Sequence, residues 1–373
     1  MNSAVPAYAW EPTDEQIAAR FGVAVDQVVR FDLNTSPSPP QLAARILASG
    51  NFGRSISEYP PSDYRLLVEA AADAYGVEPS QLLVGAGADE ILDLVAKTHL
   101  RPGGAAIVPE PTYSMYRVLT AQRPARAICV PRLGPDAGYA LDLGAIRAAA
   151  RMADLVWLCE PNNPTGLAEP DGAIRALLVG LAADARADGR AAPVVVVDEA
   201  YAEFAGRSIV DLDRGYPGLV VVRTLSKAYA LAGIRVGFAV AARATIAAME
   251  SYRPPASLAV TSVAIAAEAL RERPTMLANV ARLAAERDRL AAGLAALGWA
   301  VRPSVTNFVL IDLGSADRAA VVADGLCRAG LVPRTFPTGH RLSSHVRLTV
   351  RSPADNDRLL ATMRSLASSE VSP

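Results

Sequence analysis

Lysine is almost missing from this chain. Of its 37 Lys+Arg residues only two are lysine, Lys97 and Lys227, and the other 35 are arginine. A sequence that answers nearly every need for positive charge with a guanidinium has kept an amine at two places. Lys97 falls in a helical-looking run, residues 91–97, and reads as a solvated surface lysine. Lys227 falls in Thr224-Leu-Ser-Lys-Ala-Tyr-Ala-Leu-Ala-Gly-Ile-Arg235, among small residues at the end of an apolar run. An amine condenses with a carbonyl to a Schiff base, and its pKa falls readily on burial; a guanidinium does neither. The pattern points to covalent carbonyl chemistry at Lys227.

Other scarcities exclude whole classes of function. The three cysteines, Cys129, Cys159 and Cys327, are odd in number and far apart. A disulfide framework is therefore not expected, and a reducing cytoplasm is. Cys159 reads as a buried, inert thiol. The three histidines have no cysteine or carboxylate at ligand spacing, so no catalytic metal is expected. A net charge of −1 without a basic stripe gives no footprint for nucleic acid. The most apolar run, 194–197, is far shorter than the roughly 20 residues a membrane span needs. Residues 1–10 have neither the basic nor the apolar segment of a secretory leader.

What is present suffices for a large core: 373 residues, 51% of them hydrophobic. Residues 1–35 read as an N-terminal arm with a short helix, 14–21, and an extended stretch, 28–33. Residues 36–250 read as one large domain in which short apolar runs alternate with helical patterns. The strand candidates are 81–85, 105–108, 127–130, 155–159, 194–198, 219–223 and 236–240. Such alternation predicts an α/β fold, a mostly parallel seven-stranded sheet sandwiched by helices. Residues 251–373, with long Ala/Arg/Leu helices and few strands, read as a smaller α+β domain.

Three signals fall at strand ends or helix starts, where open α/β sheets gather ligands. Leu83-Val-Gly-Ala-Gly-Ala-Asp-Glu90 runs from strand through glycines into a helix, and the free N–H groups near Ala88 and Asp89 suit a phosphate; a structural turn has the same composition. Pro161-Asn-Asn-Pro-Thr-Gly166 follows a strand and is compatible with a plain turn. Asp198 ends a run apolar on every side, where a carboxylate needs either a buried cation or a capping task at the next helix.

Taken in order, Gly-Ala-Asp-Glu (87–90), Pro-Thr-Tyr-Ser-Met-Tyr (111–116), Asn-Asn-Pro-Thr-Gly (162–166), Asp-Glu-Ala-Tyr (198–201) and Ser-Lys-Ala (226–228) through Arg235 resemble the fold-type I pyridoxal-5′-phosphate (PLP) enzymes. Within them the chain resembles the histidinol-phosphate aminotransferase family over nearly its whole length. The resemblance implies that Lys227 forms the Schiff base with PLP and moves the proton, and that Asp198 pairs with the pyridinium nitrogen. It implies that Tyr201 and Asn163 bond the ring O3′ and that Tyr113 stacks on the ring. The phosphate would sit on Ala88, Asp89, Ser226 and Arg235, with Tyr59 reaching it from the neighbouring subunit of a homodimer. Tyr8, Arg334 and Arg347 match positions that hold the substrate's phosphate or carboxylate.

The implied reaction is ping-pong transfer of an amino group from histidinol phosphate to 2-oxoglutarate, with aromatic amino acids as alternative donors. Two segments depart from the family pattern. Asn34-Thr-Ser-Pro-Ser-Pro39 stands where Asn-Glu-Asn-Pro followed by glycine is usual, and Trp10-Glu-Pro12 stands where Pro-Gly-Lys is usual. Both fall in the arm over the substrate, which keeps open a PLP-dependent decarboxylase resembling the threonine-phosphate decarboxylases. A PLP-binding regulator is disfavoured, because such proteins append a DNA-binding module.

Overall fold

The structure, a computed structural model, describes residues 10–210 and 215–370. By their internal contacts the described residues divide into two compact units, one comprising 38–163, 168–210 and 215–279, the other 10–37, 164–167 and 280–370.

The first unit is built on a seven-stranded sheet. Its strands are β1 (Leu82–Gly85), β2 (Ala105–Glu110), β3 (Arg126–Pro131), β4 (Leu155–Cys159), β5 (Val194–Asp198), β6 (Leu219–Thr224) and β7 (Gly237–Ala241). They lie in the order β1-β7-β6-β5-β4-β2-β3, parallel except for β7, which is antiparallel to both its neighbours. The middle strands are runs of valine and leucine buried on both faces, the composition of a sheet covered by helices. Trp157, Leu92, Val196 and Val222 share its main core with the helix Gly87–His99. That helix carries Asp89 and Glu90 in its first turn and Lys97 in its last, each sign where the helix dipole favours it. Lys97 also reaches Asp93 one turn earlier, at 2.6 Å.

Parallel strands bring their carboxyl ends to one edge. Gly85, Cys159, Asp198 and Thr224 therefore end on the same side, and Gly237 starts β7 there, in register with both Gly85 and Thr224. The sheet order and the reversed β7 carry no local sequence signal.

The second unit has a three-stranded antiparallel sheet, with β9 (Phe308–Asp312) between β8 (Ala300–Arg302) and β10 (His345–Thr349). The helices Ala316–Arg328 and Pro353–Glu370 belong to the same unit, and Leu326, Leu359 and Met363 share a core with Phe31, Trp299 and Leu348. The extended stretch expected at 28–33 is a strand at Val29–Arg30, parallel to Leu331–Val332, and Phe31 continues its backbone bonding to Val332 and Thr349. The division between units falls at 279, beyond the boundary expected near 250. The reason is the helix Val260–Arg271, whose small-residue face packs against the helix Arg65–Tyr75 of the first unit.

Candidate active site

Asp198 and Lys227 come from adjacent strands of the large sheet. Asp198 is the last residue of β5 and is buried; Lys227 follows β6 by three residues and is half-buried. Apolar surroundings push the Asp198 carboxyl up to about 6, with nearby Asp89 acting in the same direction and Lys227 against it. The Tyr116 hydroxyl donates to Asp198 Oδ2 at 2.8 Å, and the Ala200 N–H donates to Oδ1 at 3.1 Å. The second bond closes a local turn and caps no helix, since the helix Ala202–Ala205 has Tyr201 at its N-cap with no side-chain cap bond; the first has no counterpart in the sequence. Lys227 Nζ lies over the ring of the buried Tyr201, 5.9 Å from its centroid.

The segment bearing Asp198 and Tyr201 is gripped from β6. Arg223 Nη1 donates to Glu199 at 2.9 Å and Nη2 to Glu203 at 2.7 Å, so one buried guanidinium forks to the two carboxylates that bracket Tyr201. Glu199 also accepts from the Ser208 hydroxyl and the Ile209 N–H. Asn163 sits after β4, its N–H directed at Cys159 Sγ at 3.4 Å. Burial lifts the Cys159 thiol to about 12, so it stays neutral, as an inert core cysteine should. Next to it Asn162 ties the two loops together, donating to Pro111 O and accepting from the Thr112 hydroxyl.

A second cluster surrounds the start of the helix Gly87–His99. Gly87 has φ of 85°, where a side chain is strained, and a Cβ there would meet the Arg235 guanidinium. A Cβ on Gly237 would lie 2.5 Å from the Gly87 carbonyl carbon and 2.6 Å from the Ala88 nitrogen. β7 must therefore begin with glycine for the turn to lie against the sheet. Arg235, itself left-handed with φ of 51°, reaches Asp89 at 3.3 Å and Ser226 Oγ at 3.5 Å. Tyr113 donates to Asp89 at 3.0 Å. The structure thus gathers Ala88, Asp89, Tyr113, Ser226 and Arg235 around one helix N-terminus, where amide N–H groups and the helix dipole attract anions. Tyr113, expected to stack on a cofactor ring, here bonds Asp89 through its hydroxyl.

Tyr59 lies in the first unit and is 81% exposed. Arg334 and Arg347 lie in the second, with their backbones paired. Arg347 is buried on β10, its guanidinium 5.2 Å from the Phe308 ring centroid and donating to Asp32 O. Arg334 is ion-paired with Glu11. In the unusual segment after residue 33, Asn34 is buried with φ of 54°, its N–H donating to Thr349 Oγ1 and its carbonyl accepting from Asn307. Tyr8 lies outside the described residues. Among the described residues no group of three or more His, Cys, Asp or Glu could hold a metal ion, and no helix is long and apolar enough to cross a membrane.

Sequence reasoning missed Tyr116, Arg223 and Gly237. Tyr116 was visible only as part of a motif, and Arg223 is one arginine among many; what singles them out is a tertiary contact to Asp198 or Glu199. Gly237 opens an apolar run, where the need for a missing Cβ has no local mark.

Residues 30–363 match the family described as aminotransferase class I and II. A histidinol-phosphate aminotransferase of Roseiflexus castenholzii is 34% identical over 362 residues, covering 95% of this chain and 93% of that protein. One of Xylella fastidiosa is 38% identical over 320 residues, covering 84% and 85%. Among solved structures, the histidinol-phosphate aminotransferase of Sinorhizobium meliloti in complex with pyridoxal-5′-phosphate has a TM-score of 0.85 and covers 97% of this chain and 96% of its own. At 24% identity that likeness speaks for the fold.

Proposed function

This chain belongs to the aminotransferase class I and II family, and on that premise we propose that it is a PLP-dependent aminotransferase acting on histidinol phosphate and 2-oxoglutarate. The observation that carries the reading is a buried Asp198 near enough to Lys227 to feel its charge, with Lys227 over the Tyr201 ring, in the same unit as a helix N-terminus that begins with glycine. These residues fit PLP group by group. Asp198 offers a carboxylate to a protonated pyridine nitrogen. The amides of Ala88 and Asp89, with Ser226 and Arg235, suit a phosphate; Gly237 lets the turn bearing those amides lie against the sheet, and Gly87 lets Arg235 lie against that turn. Tyr201 and Asn163 would bond the ring hydroxyl, and Tyr113 would cover the ring.

When bound, PLP supplies an electron-withdrawing ring that makes the substrate Cα–H acidic. Asp198 would hold the proton on the ring nitrogen. The Lys227 amine would take the proton from Cα and return it to the carbon on the cofactor side of the shared nitrogen, the general-base work for which a lysine is suited and an arginine is not. Arg347 and Arg334 are assigned to the substrate's anionic groups, as is Tyr8. Histidinol phosphate as donor is supported by the relatives' identity over most of the chain.

A homodimer with Tyr59 serving the partner's phosphate site belongs to the same proposal. It is supported by the exposed Leu47, Ile56 and Tyr59 of the first unit, apolar side chains of the kind an interface covers. A cytoplasmic location is supported by three free cysteines.

The test is a half-reaction screen. Purified protein with bound PLP is mixed with histidinol phosphate, phenylalanine or tyrosine, and loss of the cofactor's visible band is followed. Glutamate formed from 2-oxoglutarate is then measured alongside CO₂ release. Histidinol phosphate should react fastest and yield glutamate. Lys227→Ala should lose the band and at least about a thousandfold in turnover. CO₂ without glutamate would replace the reading with a decarboxylase, for which the altered segment at Asn34 leaves room; an active Lys227→Ala protein would overturn it altogether.

A further inference from the structure

We propose that Tyr116 is a positioning residue for this reaction: its hydroxyl, locked by its own packing, keeps Asp198 ionised and aimed so that the carboxylate can hold a cation. The inference rests on the functional reading above and concerns how its acidic partner is kept ready.

Tyr116 is fully buried on the helix Met115–Gln122. Its ring stacks on Trp157 with centroids 5.3 Å apart and planes 5° from parallel, and Tyr113 meets it edge-on at 5.7 Å. Trp157 Nε1 donates to Thr120 Oγ1 at 3.1 Å, and the Thr120 hydroxyl donates to the Tyr116 carbonyl at 2.6 Å. Side chain and backbone at 116 are thereby pinned by the same two neighbours. The hydroxyl has one proton to give, and it goes to Asp198 Oδ2. Burial keeps that phenol far above its usual pKa, so it remains a donor. With Ala200 N–H on Oδ1, each carboxylate oxygen has one protein donor. Removing Tyr116 would leave Oδ2 inside the protein without this partner, the situation in which a carboxylate takes up a proton instead.

The groups facing Asp198 are Lys227 after β6, Asp89 on the helix Gly87–His99, the neutral Cys159 on β4 and Tyr116 itself. Lys227 and Asp89 oppose each other. Among the influences favouring the ionised form the Tyr116 hydrogen bond is the largest. A charged Asp198 is what a pyridinium needs, and a protonated one would offer no compensating charge.

Tyr116→Phe keeps the ring and removes the donor. Asp198 is followed in apoprotein by its ¹³C carboxyl titration, assigned by loss of the signal in Asp198→Asn. The midpoint should rise by at least about one unit in Tyr116→Phe. With the midpoint near 7, about half of Asp198 is protonated at pH 7, so the variant should bind PLP about twofold more weakly there and progressively more weakly at lower pH, recovering as pH is raised past the new midpoint. Incorporating 3-fluorotyrosine at 116, a stronger donor, should move the midpoint down, which guards against a Phe variant that folds poorly. An unmoved midpoint in both variants overturns the proposal even if stability falls. A wild-type protein that fails to bind PLP overturns the functional reading instead, whatever the titration does.

Discussion

Asp198 ionises at the expense of the native state. Its carboxyl is lifted by burial from an unfolded value of 3.8 to about 6, so the folded apoprotein holds a proton that the unfolded chain releases. Stability should therefore fall as pH rises from about 4 to 6, and the full penalty should persist above that range. Asp198→Asn should make the apoprotein more stable at pH 7.5 by about 1–3 kcal/mol, while PLP binding collapses. Urea denaturation of both proteins at pH 4 and 7.5 checks this; equal stability at 7.5 would show that the buried charge costs nothing. At this scale the sequence is informative where a residue's chemistry is rare. Lys227 stands out because lysine is so scarce, and Asp198 because it interrupts valines. Tyr116 does not, because a tyrosine that donates to Asp198 looks the same in sequence as one that only fills the core.

Between elements, the geometry at the sheet edge depends on how closely β7 approaches the turn before the helix Gly87–His99. Gly237 makes that approach possible, since a methyl there would fall on the backbone of Gly87 and Ala88. Gly237→Ala should lower stability by about 1–3 kcal/mol, and PLP affinity should fall further than stability because the displaced amides are those assigned to the phosphate. Thermal unfolding with and without PLP separates the two effects; a variant that keeps wild-type affinity would place the phosphate elsewhere. All seven strands of this sheet were legible to within about two residues, because β-branched runs such as Val194–Val197 are bounded by turn residues. Their order was not. β7 reads like its neighbours although it runs the other way, since strand direction is decided by the connection and not by the strand's own residues.

For the whole molecule, the sequence boundary placed near 250 marks a change of composition, from alternating strands to long helices. Contacts divide the chain later, because the helix Val260–Arg271 packs its small residues on the first unit. Composition records what a segment is made of, not which core it joins. The proposed dimer makes its own prediction. Lys227→Ala and Tyr59→Ala proteins, each impaired alone, should complement when unfolded together and refolded as a mixture. Half of the dimers would then be hybrids with one intact site, giving about a quarter of wild-type activity. A mixture no more active than its components would mean that Tyr59 serves no neighbouring site.

The near-absence of lysine has a practical corollary. Lys97 is spent on the helix surface in its pair with Asp93, and Lys227 is the other lysine side chain in the chain. A lysine-specific protease should cut native sequence at two bonds and release three fragments. After borohydride has fixed the pyridoxyl group to Lys227, the bond to Ala228 should resist, and the same digest should leave two, the larger carrying the added mass.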